Sequence, residues 1–552
     1  MAQIFYEIEI LDESIELDGI HHNKSVKVVE FYAQKKIRER YLAHVDVEEI
    51  YMAIDAGRLV NLDNCYVKDF SLTEYRRQRK IDPKEIVNFK ELTAKNAFFD
   101  CDAYTDFSHA RFNGDVIFDH AVFSHGSLNF THAVFDSTQV DFSNCAFHSH
   151  QTLFQYAEFD SAKINFENSH FNGEIVSFIN ASIRADEITF KRANFNTCKV
   201  KFHFAEFGDG AKIFEKIKFF GPVLDFRRVI FGKGKIDFRR SLFGAGHVTF
   251  EESAVTAGKL TFRLSKFEGG DISFRRVDFG KDEANFDHID FGCRTISFES
   301  VVAKKISISN SNIHATMDLR IKKAEEINLE ESYMHSITDL NFLKPDALKV
   351  LKLRGARNLG KIIIDWNKNS VRDLIMNQEV EPQSMAEQFN IIKDNFTKNG
   401  QYSDEDHAYV HFKRYELAAS KENATKGRAP ILVPFINFGY WLRSLVFDKM
   451  GLFATSPNRV FVSMIVAIAL FASIYVCFEL MDVGHIINSV DAHDKLDIID
   501  KSLYHSSITF FTIGYGDYYP TSWNRLVSAI EGWVGVFLMS YFTVAFVRKI
   551  LR

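Results

Sequence analysis

The 552-residue sequence lacks several features that define common protein classes. Its 67 basic and 73 acidic residues leave a net charge of only −6, so nothing indicates a nucleic-acid partner or a strongly acidic ligand. Its six cysteines include no C-x-x-C pair and no spacing typical of a zinc site or a disulfide framework, so we expect reduced thiols in a cytoplasmic setting. The acidic first residues also lack the basic-then-apolar order of a signal peptide. We therefore expect the N-terminal part to stay in the cytoplasm.

Phenylalanine is abundant instead, with 55 residues, about a tenth of the chain. From Phe118 to Phe298 a phenylalanine recurs at every twelfth position without interruption. A small or β-branched residue usually follows three positions later, and a second apolar residue follows five positions later. These period-2 apolar pairs, separated by a turn, are typical of short strands and not of an amphipathic helix. The pattern predicts a solenoid of short strands, a β-helix.

The charges predict how many residues make one coil. Equivalent residues of stacked coils lie about 4.8 Å apart, so like charges directly above one another are costly. A 24-residue coil produces an alternating column of Arg228, Glu252 and Arg276, and beside it a second column of Arg227, Glu251, Arg275 and Glu299. A 12-residue coil would instead stack arginine pairs on each other. We therefore expect two 12-residue units per coil and eight coils, roughly 38 Å of rod, although Arg239 would still stack on Arg263.

The repeat V-I-F-D-H-A-V-F at residues 116–123 resembles the pentapeptide-repeat family, with Phe for the usual Leu and two extra residues per pair. The resemblance implies a right-handed quadrilateral β-helix, which we place at residues 96–345 after a cap region at 1–95. Some members of that family imitate DNA, but the arginine column argues against this. The paired arginines could bind phosphates, yet their alternation with glutamates favours structural ion pairs. We expect solvated rather than metal-binding roles for four histidines: His120, His132, His148 and His150.

The C-terminal third has a helical pattern. We expect a helical linker at residues 346–427, a helix lying at a membrane surface at 428–458, and a transmembrane domain at 459–552. Two apolar segments, 460–480 and 526–547, are long enough to span a bilayer, and the second carries a single charge, Glu531. Basic residues gather outside the pair: Arg443, Lys449 and Arg459 before it and Arg548, Lys549 and Arg552 after it, against Lys495, Lys501 and Arg525 between. This distribution predicts two cytoplasmic termini in the cell membrane.

Between these segments, T-I-G-Y-G-D follows a short predicted helix at 502–511. Glycine permits the backbone angles that aim successive carbonyls in one direction, as a filter that strips water from K⁺ requires. The segment resembles the selectivity filter of two-transmembrane potassium channels. The resemblance implies that the filter, 512–517, binds K⁺ through backbone carbonyls alone, with no cofactor, at Thr512, Ile513, Gly514, Tyr515 and Gly516, supported by Asp517. Gly532 or Gly535 is either a gating hinge of the inner helix or a packing position.

These features together indicate a multidomain fold: a pentapeptide-repeat-like β-helix, a helical linker and an α-helical two-transmembrane potassium-channel pore domain. We expect a homotetrameric potassium channel in a lipid bilayer, not an enzyme, without a voltage sensor because the chain has no arginine-rich helix. No regulatory domain is expected after the inner helix, so an unknown cytoplasmic ligand or protein would act through the N-terminal side. The alternatives are a membrane-anchored scaffold whose β-helix binds a partner, or a less selective cation channel.

Overall fold

The computed structural model describes residues 4–17, 19–244, 246–256, 258–489 and 496–551. Lys495 and Arg552, two of the basic residues used to predict the membrane orientation, lie outside the described residues. The chain divides into two compact units, Met1–Gln378 and Glu379–Arg552.

The first unit opens with antiparallel strands that lead into a solenoid. Ile4–Leu11 pairs with Ser25–Tyr32, which pairs with Lys35–Val45, and Ile15–Leu17 forms a small hairpin with Ile20–His22. The strand Lys35–Val45 then pairs in parallel with Cys65–Lys68, which is the first step of the solenoid ladder. Two helices lie in this entry region: α1, Val47–Asp55, capped by the Asp46 side chain, and α2, Leu72–Arg79, capped by Ser71.

The solenoid contains three sheets of 16, 12 and 17 strands, the first including the antiparallel entry strands. One coil contributes Val122–Ser124 to the first sheet, Ser127–Asn129 to the second and Val134–Asp141 to the third. The third strand pairs with two separate strands of the preceding coil, Ala110–Phe112 and Val116–Ile117, so each coil has four short segments.

The register of the strands confirms the 24-residue coil. Val122 pairs with Ala146, Ser127 with Gln151, and Val134 with Glu158, and each pair is separated by that same interval in the sequence. The solenoid spans residues 43–363, and its second sheet alone has twelve strands, so it extends beyond the eight coils that the evenly spaced phenylalanines predict. The strands after Phe298, such as the last one, Lys361–Ile363, fill the core mainly with aliphatic residues, and the buried phenylalanines before Phe118, such as Phe99 and Phe107, do not keep the spacing of 12.

The regularly spaced phenylalanines form two interlocked columns in the core. Rings one full coil apart stack in parallel, with centroids 5.0 Å apart for Phe118 and Phe142. Rings half a coil apart meet edge to face, with centroids 5.7 Å apart for Phe142 and Phe154. Both geometries are favourable for aromatic quadrupoles, and these rings are fully buried. This packing gives phenylalanine a role in this core that a branched aliphatic side chain does not have.

A tight turn follows each core phenylalanine. In the 12-residue repeat that begins the regular series, the amide of Ala121 donates to the carbonyl of Phe118 over 2.8 Å, and His120 between them has φ 60°. The same left-handed position recurs in every repeat unit through Ser300, although none of its occupants is glycine. The small residue after it is buried, and where it is serine its hydroxyl bonds to the previous coil, as from Ser241 to the carbonyl of Phe214 over 2.9 Å. The position takes a small or β-branched side chain because it is buried against the neighbouring coil.

The structure refines the expectations for the polar side chains. Arg228 and Arg276 both contact Glu252, at 2.7 and 2.6 Å, as the alternating column predicts. In the neighbouring column Arg227 turns to Asp225 instead, at 2.7 Å, and Glu251 accepts from Ser273.

Arg239 likewise binds Asp237 at 2.7 Å, which offsets the charge of Arg263 in the next coil. His120, His132 and His150 are exposed. His148 is half-buried against the Tyr6 ring, and burial, followed by the charges of His170 and His125, lowers its pKa to about 4. His148 therefore differs from the solvated histidine that the repeat predicts.

Helices dominate the rest of the chain. After α3, Val371–Met376, the second unit contains a hairpin of α4, Pro382–Lys398, and α5, Tyr402–Thr425. Next come α6, Val433–Arg443, with a π-helical turn at Ser444–Lys449, and α7, Pro457–Leu480. The last elements are a strand at Ile486–Asn488, α8 at Ile498–Phe510, a strand at Tyr518–Pro520, and α9 at Asn524–Ile550. The two strands pair antiparallel.

Two of these helices are long and apolar enough to cross a membrane. At 1.5 Å per residue, α7 and α9 measure about 36 and about 40 Å, beyond the roughly 30 Å of a bilayer core. Apolar side chains of α7 such as Phe461, Val462 and Val466 are more than half exposed, as expected of a surface that faces lipid. In α6, Phe435 and Trp441 are also exposed. The second unit therefore has the character of a membrane domain.

Candidate functional site

The helices α7 and α9 pack closely around the C-terminal end of α8. Phe510, the last residue of α8, lies in a core with Met464 of α7 and Leu538 of α9. A Cβ atom on Gly535 would lie 2.0 Å from the carbonyl oxygen of Phe510, so α9 approaches α8 only because position 535 has no side chain. A Cβ atom on Gly532 would meet nothing closer than 3.9 Å. The geometry therefore favours packing for Gly535 and leaves Gly532 free of that constraint.

The helix α8 ends in a Schellman motif built from the residues that follow it. The amide of Thr512 donates to the carbonyl of Thr509 over 3.0 Å, and the amide of Ile513 donates to the carbonyl of Ile508 over 2.8 Å. Thr512 occupies the left-handed position of the motif, with φ 55°. A β-branched residue rarely adopts this conformation, so the junction of helix and loop is strained. These two bonds orient the start of the loop relative to the helix.

The loop after α8 alternates between two backbone conformations. Thr512, Gly514 and Gly516 have φ of 55°, 58° and 78°, whereas Ile513 and Tyr515 remain at negative φ. Glycine adopts the left-handed conformation without a steric penalty, which accounts for both glycines of T-I-G-Y-G. The sign of φ therefore changes at each step from Thr512 to Gly516. The side chains of Tyr515 and Ile513 are 72% and 50% exposed in the single chain.

Hydrogen bonds anchor the end of this loop. The hydroxyl of Tyr504 on α8 donates to the carboxylate of Asp517 over 2.8 Å, and the amide of Tyr518 donates to the same side chain over 3.0 Å. Ser489 donates its hydroxyl to the carbonyl of Gly516 over 2.7 Å. Asp517 therefore has the bracing contacts that its expected supporting role requires. Sequence analysis missed Tyr504 and Ser489, because no motif marks them.

A buried acidic side chain connects the three helices. Glu531 of α9 is fully buried and accepts hydrogen bonds from Ser506 of α8 and, over 2.6 Å, from Tyr475 of α7. The Tyr475 hydroxyl also lies 2.9 Å from Ser528, which lies 2.9 Å from His505. The single charge noted in the second apolar segment is therefore the centre of a polar cluster within the membrane domain, where an ionisable group marks a functional region.

A second polar cluster, which we call the latch, joins α5 to the C-terminal end of α9. Arg548 contacts Glu405 at 3.3 Å and Asp406 at 3.1 Å, and Lys549 contacts Asp406 at 2.6 Å. The Arg548 guanidinium also lies 4.2 Å from the centroid of the Tyr409 ring, a cation–π geometry. Basic residues at the end of a helix also interact favourably with its dipole.

The helix α5 has a second tie to the membrane domain. Arg414 binds Asp448 of the π-helical turn at 2.8 Å through a guanidinium–carboxylate pair. The turn and the backbone after it also bind α9. The Tyr541 hydroxyl of α9 donates to the carbonyl of Phe447 in the turn and accepts from the amide of Ala454 after it, both over 3.0 Å. α5, the turn and α9 therefore form one connected group of elements.

Two apolar helices that flank a short helix and a loop with alternating backbone define a pore-loop membrane domain. Residues 463–552 match the family model described as an ion channel. The match covers most of α7 together with α8, the loop and α9, and it indicates a channel in this part of the chain. The first unit is a β-solenoid consistent with the pentapeptide repeat. No curated protein and no solved structure matches the chain.

Proposed function

We propose that this protein is a potassium-selective channel that conducts K⁺ passively through a homotetrameric pore. The observation that carries the proposal is the alternation of positive and negative φ through T-I-G-Y-G, placed between α8 and α9. A ring of carbonyl oxygens replaces the water around K⁺ as the ion enters the filter. Thr512, Ile513, Gly514 and Tyr515 supply such carbonyls, and Gly516, whose carbonyl accepts from Ser489, lies at the outer end.

The resemblance to potassium channels supports a tetramer. One loop contributes one side of a filter, so several copies around an axis are needed to surround an ion, and channels of this type use four. The exposed side chains of Ile513 and Tyr515 support the assembly, because neighbouring subunits would cover them. The basic residues outside the two spans support a plasma-membrane channel with both termini in the cytoplasm.

Regulation by the cytoplasmic part is the second half of the proposal. α4 and α5 lie in the sequence between the solenoid and the pore, and the latch ties α5 to the end of the helix that frames the pore. A movement transmitted along the chain to α5 would therefore act on α9 directly. Coupling of this kind is usually worth about 1 to 3 kcal/mol.

The purified full-length chain in liposomes tests selectivity directly. With K⁺ and Na⁺ on opposite sides, we expect a reversal potential close to that of a K⁺-selective membrane. Equal permeability to the two ions would contradict the proposed selectivity and favour a less selective cation channel. Absence of any ion flux from tetramers that are intact by mass would favour the scaffold alternative.

A further inference from the structure

The solenoid has a groove on its surface whose charges do not follow the pairing seen elsewhere on the rod. The groove has a volume of about 410 Å³, within the range of small-molecule sites. It is lined by eight residues: His170, Arg192, Asn194, Lys216, Ile217, Lys218, Arg240 and Leu242. Four of the eight are permanently basic, and none is acidic.

The coil register explains how these side chains come together. Arg192, Lys216 and Arg240 are each the left-handed residue of their turn, with φ of 58°, 60° and 57°, and they occupy the same position on three successive coils. Asn194 pairs with Lys218 in the adjacent column, two positions further along the chain. The groove therefore runs between two columns along the rod, and the buried Ile217 lies between them.

The column of Arg192, Lys216 and Arg240 differs in charge from the column that the other 12-residue repeat of each coil forms. There, Arg228 and Arg276 flank Glu252 and both bind it. Here three cations follow one another at a spacing of roughly 4.8 Å, which is unfavourable without a counter-charge.

The carboxylates near these cations are few and distant. Arg192 reaches Glu167 only at 4.0 Å, and Lys216 reaches its neighbour Glu215 at 3.9 Å. Among the residues that the structure describes, no carboxylate lies within 4.0 Å of the charged nitrogens of Lys218 or Arg240. Burial and then the charge of Lys218 lower the pKa of His170. The potential in the groove is therefore positive, because Lys218 and Arg240 have no carboxylate partner in the described part of the chain and the partners of Arg192 and Lys216 lie at 4.0 and 3.9 Å.

We propose that this groove binds a soluble anion that carries two or more phosphate groups. Arginine and lysine bind phosphate through charge-assisted hydrogen bonds. Cations on three successive coils match linked phosphates better than a single one, and the open side of the groove admits a ligand from solvent. The proposal goes beyond ion conduction and does not depend on it, so its failure and the failure of the K⁺ flux experiment are separate results.

Titration calorimetry of the full-length protein with sodium tripolyphosphate tests the proposal. We expect saturable binding that weakens as the salt concentration rises. Lys216→Gln and Arg240→Gln should each weaken binding about tenfold or more, because each removes a charge-assisted hydrogen bond. Lys216→Arg should retain binding. Lys218→Gln provides an independent variant if one of the others fails to fold.

Arg276→Gln is the matched control, because Arg276 occupies the same turn position with φ 56° but binds Glu252. We expect its affinity to stay within about twofold of the wild type. No saturable binding to the wild type, or equal losses for Arg276→Gln and Lys216→Gln, would overturn the proposal.

The source of the phosphate is tested separately in lipid discs. If discs of phosphatidylglycerol abolish tripolyphosphate binding that discs of phosphatidylcholine permit, a lipid headgroup occupies the groove and the assignment to a soluble anion is wrong. Equal binding in both kinds of disc supports a soluble ligand.

Discussion

Tyr475 of α7 donates its hydroxyl to the buried carboxylate of Glu531 of α9 over 2.6 Å, and Ser506 of α8 donates to the same carboxylate. The two donors satisfy both carboxylate oxygens, and they come from two different helices that precede α9 in the chain. A buried carboxyl group that loses a hydrogen-bond partner is left with an unsatisfied oxygen, which is destabilising. Glu531 therefore holds α8, and with it the start of the filter loop, between the two spans.

The first prediction follows from that contact. Tyr475→Phe removes the hydroxyl but keeps the ring, and it should lower the free energy of unfolding by about 1 to 3 kcal/mol because one oxygen of the buried Glu531 side chain loses its partner. Thermal unfolding of the purified full-length protein measures the change. Tyr519→Phe is the control, since Tyr519 is exposed in the strand after the filter, and it should change the stability by less than about 0.5 kcal/mol. Equal effects of the two variants would contradict the role of Glu531.

The second prediction concerns the phenylalanine columns. Phe250 is buried and stacks on Phe226 and Phe274 at 4.9 and 5.0 Å between centroids. Phe250→Ala should cost about 3 to 5 kcal/mol, because it opens a cavity in the core.

Phe204→Ala is the control for Phe250→Ala, since Phe204 is 42% exposed at a turn position. It should cost far less. Urea unfolding followed by far-ultraviolet circular dichroism measures both variants, and similar losses would show that the columns do not carry the stability of the rod.

The repeat was predictable because its period is strict. Sixteen phenylalanines at a spacing of 12, together with Arg228, Glu252 and Arg276, determine the coil length before any coordinate is known. The coils beyond the phenylalanine repeat were not predictable in this way, because aliphatic side chains of varied spacing fill the core near residue 363.

The left-handed turn position escaped sequence analysis for a related reason. Asparagine and histidine, which favour a positive φ, occur at some of these positions, but tyrosine, arginine and leucine occur at others, so no residue type marks the turn throughout. The bonds between coils impose this conformation, as when the amide of His120 donates to the carbonyl of Ser143 over 3.0 Å.

In the membrane domain too, a local sequence motif was predictable, whereas the contacts between distant residues were not. T-I-G-Y-G is a local motif, so the loop between α8 and the strand Tyr518–Pro520 could be predicted from the sequence, and its role as a filter stays a prediction. The partners of Glu531 lie 56 and 25 residues away, and the Ser489 hydroxyl lies 27 residues from the carbonyl it binds. Such contacts depend on tertiary packing, which one sequence does not reveal.

The third prediction concerns the alternating backbone of the filter loop. Gly514→Ala should reduce the K⁺/Na⁺ permeability ratio, because alanine disfavours φ 58° by roughly 1 kcal/mol and turns the neighbouring carbonyls. A Cβ atom there meets nothing within 4 Å in the single chain, so the expected effect is conformational. The reversal potential in liposomes measures it.

Gly439→Ala is the matched control for the filter variant. A Cβ atom at Gly439 in α6 also meets nothing within 4 Å, but its φ is not left-handed. This variant should leave the permeability ratio unchanged. An unchanged ratio in Gly514→Ala as well would mean that the loop conformation does not determine selectivity.

The last prediction concerns the latch. Arg548→Gln removes the cation that contacts Glu405, Asp406 and the Tyr409 ring. If α5 biases the end of α9 toward one state of the gate, the open probability should change about fivefold or more, as couplings of about 1 to 3 kcal/mol produce. Single-channel recording in planar bilayers measures it. High ionic strength should change the open probability of the wild type in the same direction as Arg548→Gln does, because salt screens partly exposed ion pairs.

Lys413→Gln is the control for the latch, since Lys413 pairs with Glu416 on α5 itself at 2.7 Å and does not reach α9 through an ion pair. Both variants remove one cation from the same region, so their difference isolates the connection between α5 and α9. The combination of Arg548→Glu with Glu405→Arg should recover part of the wild-type open probability, because it restores an ion pair with reversed polarity. If Arg548→Gln and Lys413→Gln both leave the open probability unchanged, α5 does not act on the pore through the latch, and control by the cytoplasmic part would need another route.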